Sequence, residues 1–117
     1  MIEAYGKKVY LACGVTDMRK QINGLAETVV NTFGLDAFSG ALFAFCNRNR
    51  DIIRILEWDQ DGFWLHTKRL ERGHFMWPGE TQNSTMDVSS TELLQVISTT
   101  ALERRFKGDQ VTERLLG

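Results

Sequence analysis

Asp59 and Asp61, two carboxylates one residue apart beside Gly62, are the most obvious chemistry in this sequence. Hard oxygen ligands at that spacing suit magnesium or calcium. With Glu71 they would define a metal-dependent nuclease centre. An EF-hand loop is excluded, because Phe63 and Leu65 fall where it requires oxygen ligands. A tight turn between two apolar runs explains the same residues with fewer demands, since turns select Asp and Gly for backbone reasons, and that reading is adopted. His66 and His74 are the only histidines; neither has a second ligand at metal spacing, and no nucleophile–base arrangement is legible. Both are expected to be ordinary surface or partly buried side chains. Cys13 and Cys46 stand far apart in apolar contexts, which supports neither a disulfide nor a thiolate zinc site. They read as buried thiols of a cytosolic protein. Gly14-Val15-Thr16-Asp17 precedes a helical pattern, and helix N-termini attract phosphate. One glycine makes a weak phosphate loop, however, and a simple helix cap is the better account. No cofactor and no metal is expected.

The basic residues are more informative. Arg48 and Arg50 lie in a polar segment, Arg54 in the apolar run after it, and Lys68, Arg69 and Arg72 at the end of the next run. Arg19 and Lys20 follow Asp17, at a predicted helix start where positive charge opposes the macrodipole. That conflict favours a partner or an internal ion pair. Hairpins at Asn47–Asp51 and Asp59–Gly62 would bring several of these groups together. With Asn47, Asn49, Trp58, Trp64 and Trp77 they would form a basic face with interleaved aromatics, suited to nucleic acid. The competing account is a normal solvated face, diluted by Asp51, Glu57, Asp59, Asp61 and Glu71, with the aromatics spent on the core. The chain as a whole carries 14 basic and 15 acidic residues, net charge -1. It is no globally basic nucleic-acid binder, so any DNA contact must come from a local patch.

The elements that must position these residues follow from periodicity. Lys8 to Cys13 reads as a strand. Met18, Ile22, Leu25, Val29 and Phe33 form the apolar stripe of a helix, capped by Thr16 or Asp17 and ended by Gly34. Ala41 to Cys46, Ile52 to Trp58 and Phe63 to Leu70 read as three strands joined by turns, with His74 to Trp77 a short continuation before Pro78. Met86 to Val88 adds a short strand. Ser89-Ser90-Thr91-Glu92 is a capping box opening a second amphipathic helix through Leu93, Leu94, Ile97 and Ala101. The expected fold is α+β: a small antiparallel sheet of four to five strands with two amphipathic helices packed on one face. Residues 1–102 form one domain, and 103–117 a charged tail or helix extension. At 117 residues and 43% hydrophobic content the chain is the size and composition of an ordinary globular domain. Its apolar runs reach about five residues where a membrane span needs about 20, and its first residues lack the apolar core of a signal peptide.

Several ordered blocks then carry a resemblance. Val9-Tyr10-Leu11-Ala12, Thr16-Asp17-Met18-Arg19-Lys20 and Gly24-Leu25-Ala26 open it. Ser39 to Phe45, Trp58 to Phe63, Lys68 to Gly73 and Phe75-Met76-Trp77-Pro78 continue it at compatible spacing. Together they resemble the small accessory transposition protein TnpB of IS-sixty-six-type bacterial insertion sequences, from about Val9 to about Leu102. Gln21, Cys46 and Arg54 depart from the pattern, where glycine, a polar or basic residue, and lysine are common. The resemblance implies a non-catalytic helper, with catalysis in a separate large transposase, and it brings no catalytic residues to carry over. It repeats the basic positions Arg19, Lys20, Arg48, Lys68, Arg69 and Arg72. The expected partners are DNA at the element ends, the large transposase and the other accessory protein of the element. A homo-oligomer would suit paired ends, no membrane is involved, and the setting is the bacterial cytoplasm, on the nucleoid when acting. The expected DNA contacts are Arg48, Arg50, Arg54, Lys68, Arg69 and Arg72, flanked by Arg19 and Lys20. The alternative is a protein-interaction module that never touches DNA, and a metal-dependent nuclease ranks third.

Overall fold

A computed structural model of the chain describes residues 2–98. The charged segment 103–117 and Ala101 of the predicted second helix lie outside the described residues. Five strands form one sheet: β1 (Val9–Ala12), β2 (Leu42–Cys46), β3 (Ile52–Asp59), β4 (Gly62–Arg69) and β5 (Thr85–Val88). Their spatial order is β4-β3-β2-β1-β5. The β2–β3 and β3–β4 hairpins are antiparallel, as is β1–β5, but β1 and β2 run parallel. The sheet is therefore mixed, a correction to the all-antiparallel expectation. The physical reason lies between Cys13 and Ala41: a helical crossover spans the sheet there, and a crossover returns the chain in the same direction.

That crossover holds α1 (Ile22–Glu27), which continues without a break into a π-helical turn, Thr28–Thr32. The helix starts at Ile22 rather than near Met18, and its N-cap Gln21 makes no side-chain capping bond. Asp17 instead closes a local turn, its carboxylate accepting from the Arg19 backbone N–H at 2.9 Å. At the far end Phe33 N–H donates to Thr28 O at 3.0 Å, and Gly34 takes φ +68, the left-handed geometry that lets the chain leave the helix. The second helix, α2 (Ser90–Ser98), opens on the predicted capping box. Ser89 N–H donates to Glu92 Oε1 at 2.8 Å, and Glu92 N–H to Ser89 Oγ at 3.0 Å.

Strand alternation sends side chains to two cores. Leu11, Leu42, Ala44, Ile53 and Ile55 meet Leu93 and Ile97 of α2 on one face. Ala12, Phe43, Phe45 and Leu56 meet Leu25 and Val29 of the α1 segment on the other. The two helices thus lie on opposite faces, not on one. All five residues of β2 are buried, as a central strand covered on both sides must be. Phe75 and Trp77 join the α2-side core. Their segment does not extend β4: Phe75 N–H donates to Arg50 O at 2.7 Å and Trp77 Nε1 donates to Ala12 O at 2.8 Å. A buried indole N–H needs such an acceptor, and meeting it pulls the chain back across the sheet.

Candidate nucleic-acid interface

Register places all eight predicted basic residues toward one end of the sheet. This is the end where β1 and β2 finish, β3 starts and β4 finishes. Thr16 N–H donates to Cys46 O at 2.8 Å, which ties the Arg19–Lys20 loop to the end of β2. The Asn47–Asp51 hairpin loop is held by its own first residue. Asn47 Oδ1 accepts from the N–H groups of Asp51 and Ile52, each at 3.0 Å, while Asn47 Nδ2 donates to Asp51 Oδ1 at 2.7 Å. The segment after β4 closes on that loop: Leu70 N–H donates to Asp51 O at 2.7 Å, and His74 Nδ1 donates to Asn49 O at 2.8 Å. A carbonyl only accepts, so the His74 proton sits on Nδ1. Arg48, Arg50 and Arg72 are consequently presented by neighbouring, cross-bonded backbone.

The eight residues are not equivalent. Arg54 Nη1 donates to Met18 O at 3.0 Å and Lys20 O at 3.2 Å, so its guanidinium braces the loop before α1. Lys68 Nζ donates to Ile97 O at 3.1 Å, on the α2 side of the sheet. Lys20 Nζ donates to Thr28 Oγ1 at 2.9 Å. Arg19 pairs with Asp17 at 2.7 Å and Arg69 with Glu71 at 3.3 Å, both on the surface where such pairs exchange readily. Arg48, Arg50 and Arg72 are exposed and hold no acidic partner among the described residues. The Arg19 guanidinium and backbone N–H hold the Asp17 carboxyl down at about 2. Arg50 adopts φ +60, a left-handed conformation that costs a non-glycine residue about 1 kcal/mol.

Asp17, Asp51 and Glu71 share the basic end, and two further carboxylates lie at the other. Asp59 and Asp61 flank the β3–β4 turn, and Asp59 Oδ2 accepts from Trp64 Nε1 at 3.1 Å. Nearby, Phe38 packs edge-on against Trp58 with centroids 4.9 Å apart, and Trp58 against Phe63 at 5.0 Å. Glu57, counted from sequence as a surface charge, is instead 7% exposed. It is paired with Lys7 and accepts from His66 Nε2 at 3.2 Å. The signal was present: Ile53, Ile55 and Glu57 share a face by period two, so a charge there had to meet the core edge. Cys46 is buried and burial pushes its thiol up to about 11, whereas Cys13 is only half-buried. Among the described residues no three His, Cys, Asp or Glu side chains converge as metal ligands, and no helix is long and apolar enough to cross a membrane.

The family whose members are described as IS66 Orf2 like protein matches residues 7–106. The chain belongs to this family. That membership makes it an insertion-sequence accessory protein rather than the transposase. The uncharacterized protein y4hO of Sinorhizobium fredii is 34% identical over 91 residues, 78% of each chain. The uncharacterized protein y4jC of the same organism is 34% identical over 73 residues, 62% of each chain. No solved structure matches the chain.

Proposed function

We propose that this IS66 Orf2-like protein is a non-catalytic transposition factor that grips DNA phosphates with the basic end of its sheet. One observation carries the reading: Arg48, Arg50 and Arg72 project from a cross-bonded platform with no acidic partner among the described residues, while Asp59 and Asp61 are kept at the opposite end. Arg69 and Arg19, in exchangeable surface pairs, flank that platform. Arg54 braces the loop before α1 and Lys68 bonds the Ile97 carbonyl of α2, so neither is counted among the direct contacts. The platform lies outside the carboxyl ends of the two parallel strands, where open α/β sheets bind ligands. The strained backbone of Arg50 agrees, since glycine would fit φ +60 better unless the guanidinium is wanted.

Phosphate contacts give affinity and salt dependence without base choice. Replacing Arg48, Arg50 and Arg72 by Gln should therefore weaken binding equally on all duplexes, with the fold unchanged by circular dichroism. Undiminished affinity in the triple variant would refute the assignment. A second reading has its own support: Phe38 is 58% exposed against Trp58 and Phe63, at the acidic end. Exposed aromatics anchor protein interfaces, so this end is the candidate contact for the transposase. The Phe38→Ser variant should lose transposase in a pull-down and keep DNA.

A further inference from the structure

We propose that the free edge of β4 pairs with the same strand of a second copy, making one continuous ten-stranded sheet across a two-fold axis. β4 is an edge strand of eight residues without proline, and among the described residues no strand pairs with its outer side. In an antiparallel ladder every second residue of such a strand turns its N–H and C=O outward. Edges this long are normally blunted or covered. Here the exposed part carries Trp64, 57% accessible and stacked on His66 with centroids 6.0 Å apart, a large surface to leave in water.

Charge selects the occupant. The strand runs from the acidic turn at Asp59 and Asp61 to Lys68 and Arg69. A parallel neighbour would set like charges together, whereas an antiparallel copy sets the acidic end of each strand against the basic end of the other. Two-fold symmetry requires one residue to face its own copy. Centring on Leu65 puts Trp64 opposite the partner's His66 and Asp61 opposite the partner's Arg69. The Arg69–Glu71 pair at 3.3 Å is on the surface and free to exchange for this contact. Opposite charges across such a ladder stabilise it and like charges destabilise it.

Sedimentation equilibrium of the full chain, from about 1 µM to about 500 µM and without DNA, tests this. The expected result is a monomer–dimer equilibrium that weakens with salt. Arg69→Glu and Asp61→Arg, both at exposed positions, should each weaken it at least about tenfold, and the double variant should restore it to within about threefold. A chain that stays monomeric throughout overturns the proposal. So does a dimer indifferent to both single variants, or one that the double variant fails to restore.

Discussion

Replacing Arg54 by Met separates bracing arginines from binding ones. The guanidinium donates to Met18 O at 3.0 Å and to Lys20 O at 3.2 Å, while its Nε is buried with no partner among the described residues. A hydrogen bond from a charged donor is worth about 1.5–3 kcal/mol net. The Met18 bond is partly buried and the Lys20 bond exposed, so together they contribute about 3 kcal/mol. Removing the stranded Nε returns about 1 kcal/mol. Methionine keeps most of the apolar stem, which leaves a net loss of about 2 kcal/mol, or about 8 °C in Tm for a domain this small. Arg48→Gln, at an exposed loop position, should stay within about 0.5 kcal/mol of the parent. Arg54→Lys should recover only part, because the flexible ammonium lacks the planar, pre-oriented N–H groups with which Nη1 serves both carbonyls. Urea unfolding monitored by tryptophan fluorescence measures all three. An Arg54→Met variant no less stable than Arg48→Gln would refute the bracing role and return Arg54 to the candidate DNA contacts.

Other outcomes follow from the same geometry. Arg50→Gly should leave stability unchanged or raise it by up to about 1 kcal/mol, by relieving the φ +60 strain, while weakening DNA binding; a clear loss of stability would contradict the strain argument. Because the folded Asp17 pKa is lowered to about 2, the stabilisation from its pairing holds above the unfolded carboxylate pKa and disappears as pH falls toward 2. Carboxyl NMR should show that midpoint, and Arg19→Ala should move it back up. Burial raises the Cys46 pKa to about 11, so stability should fall as pH climbs from about 9 toward 11. A thiol reagent at pH 8 should label Cys13 quickly and Cys46 only on unfolding; equal rates would contradict the burial of Cys46.

Local signals in the sequence carried over well where the chain's own neighbours decide structure. The capping box at Ser89–Glu92, the left-handed Gly34 and the strand positions around Phe43 and Ile55 all depend on residues a few positions away. What sequence could not supply was set by long-range partners. The first helix starts only at Ile22, and the loop before it is held by Arg54, which donates to the carbonyls of Met18 and Lys20, 36 and 34 positions away. The parallel β1–β2 pair and the helices on opposite faces come from crossover geometry, which leaves no mark in local periodicity. The basic positions stand out in the sequence, but the bonds each of them makes in the fold do not. Arg54 and Lys68 look like Arg48 and Arg72 in sequence and differ only in the carbonyls that β3 and β4 bring within reach.

Fluorescence anisotropy with labelled duplexes, titrated from low to physiological salt, tests the central claim most directly. With Arg48, Arg50 and Arg72 on phosphates, log affinity should fall against log salt with a slope near −3, and with Arg19 and Arg69 recruited nearer −4 to −5. The triple Gln variant should lose about 3 from that slope on a terminal-repeat duplex and a scrambled one alike. No binding at low salt, or a slope that the triple variant leaves intact, would contradict the DNA-gripping role.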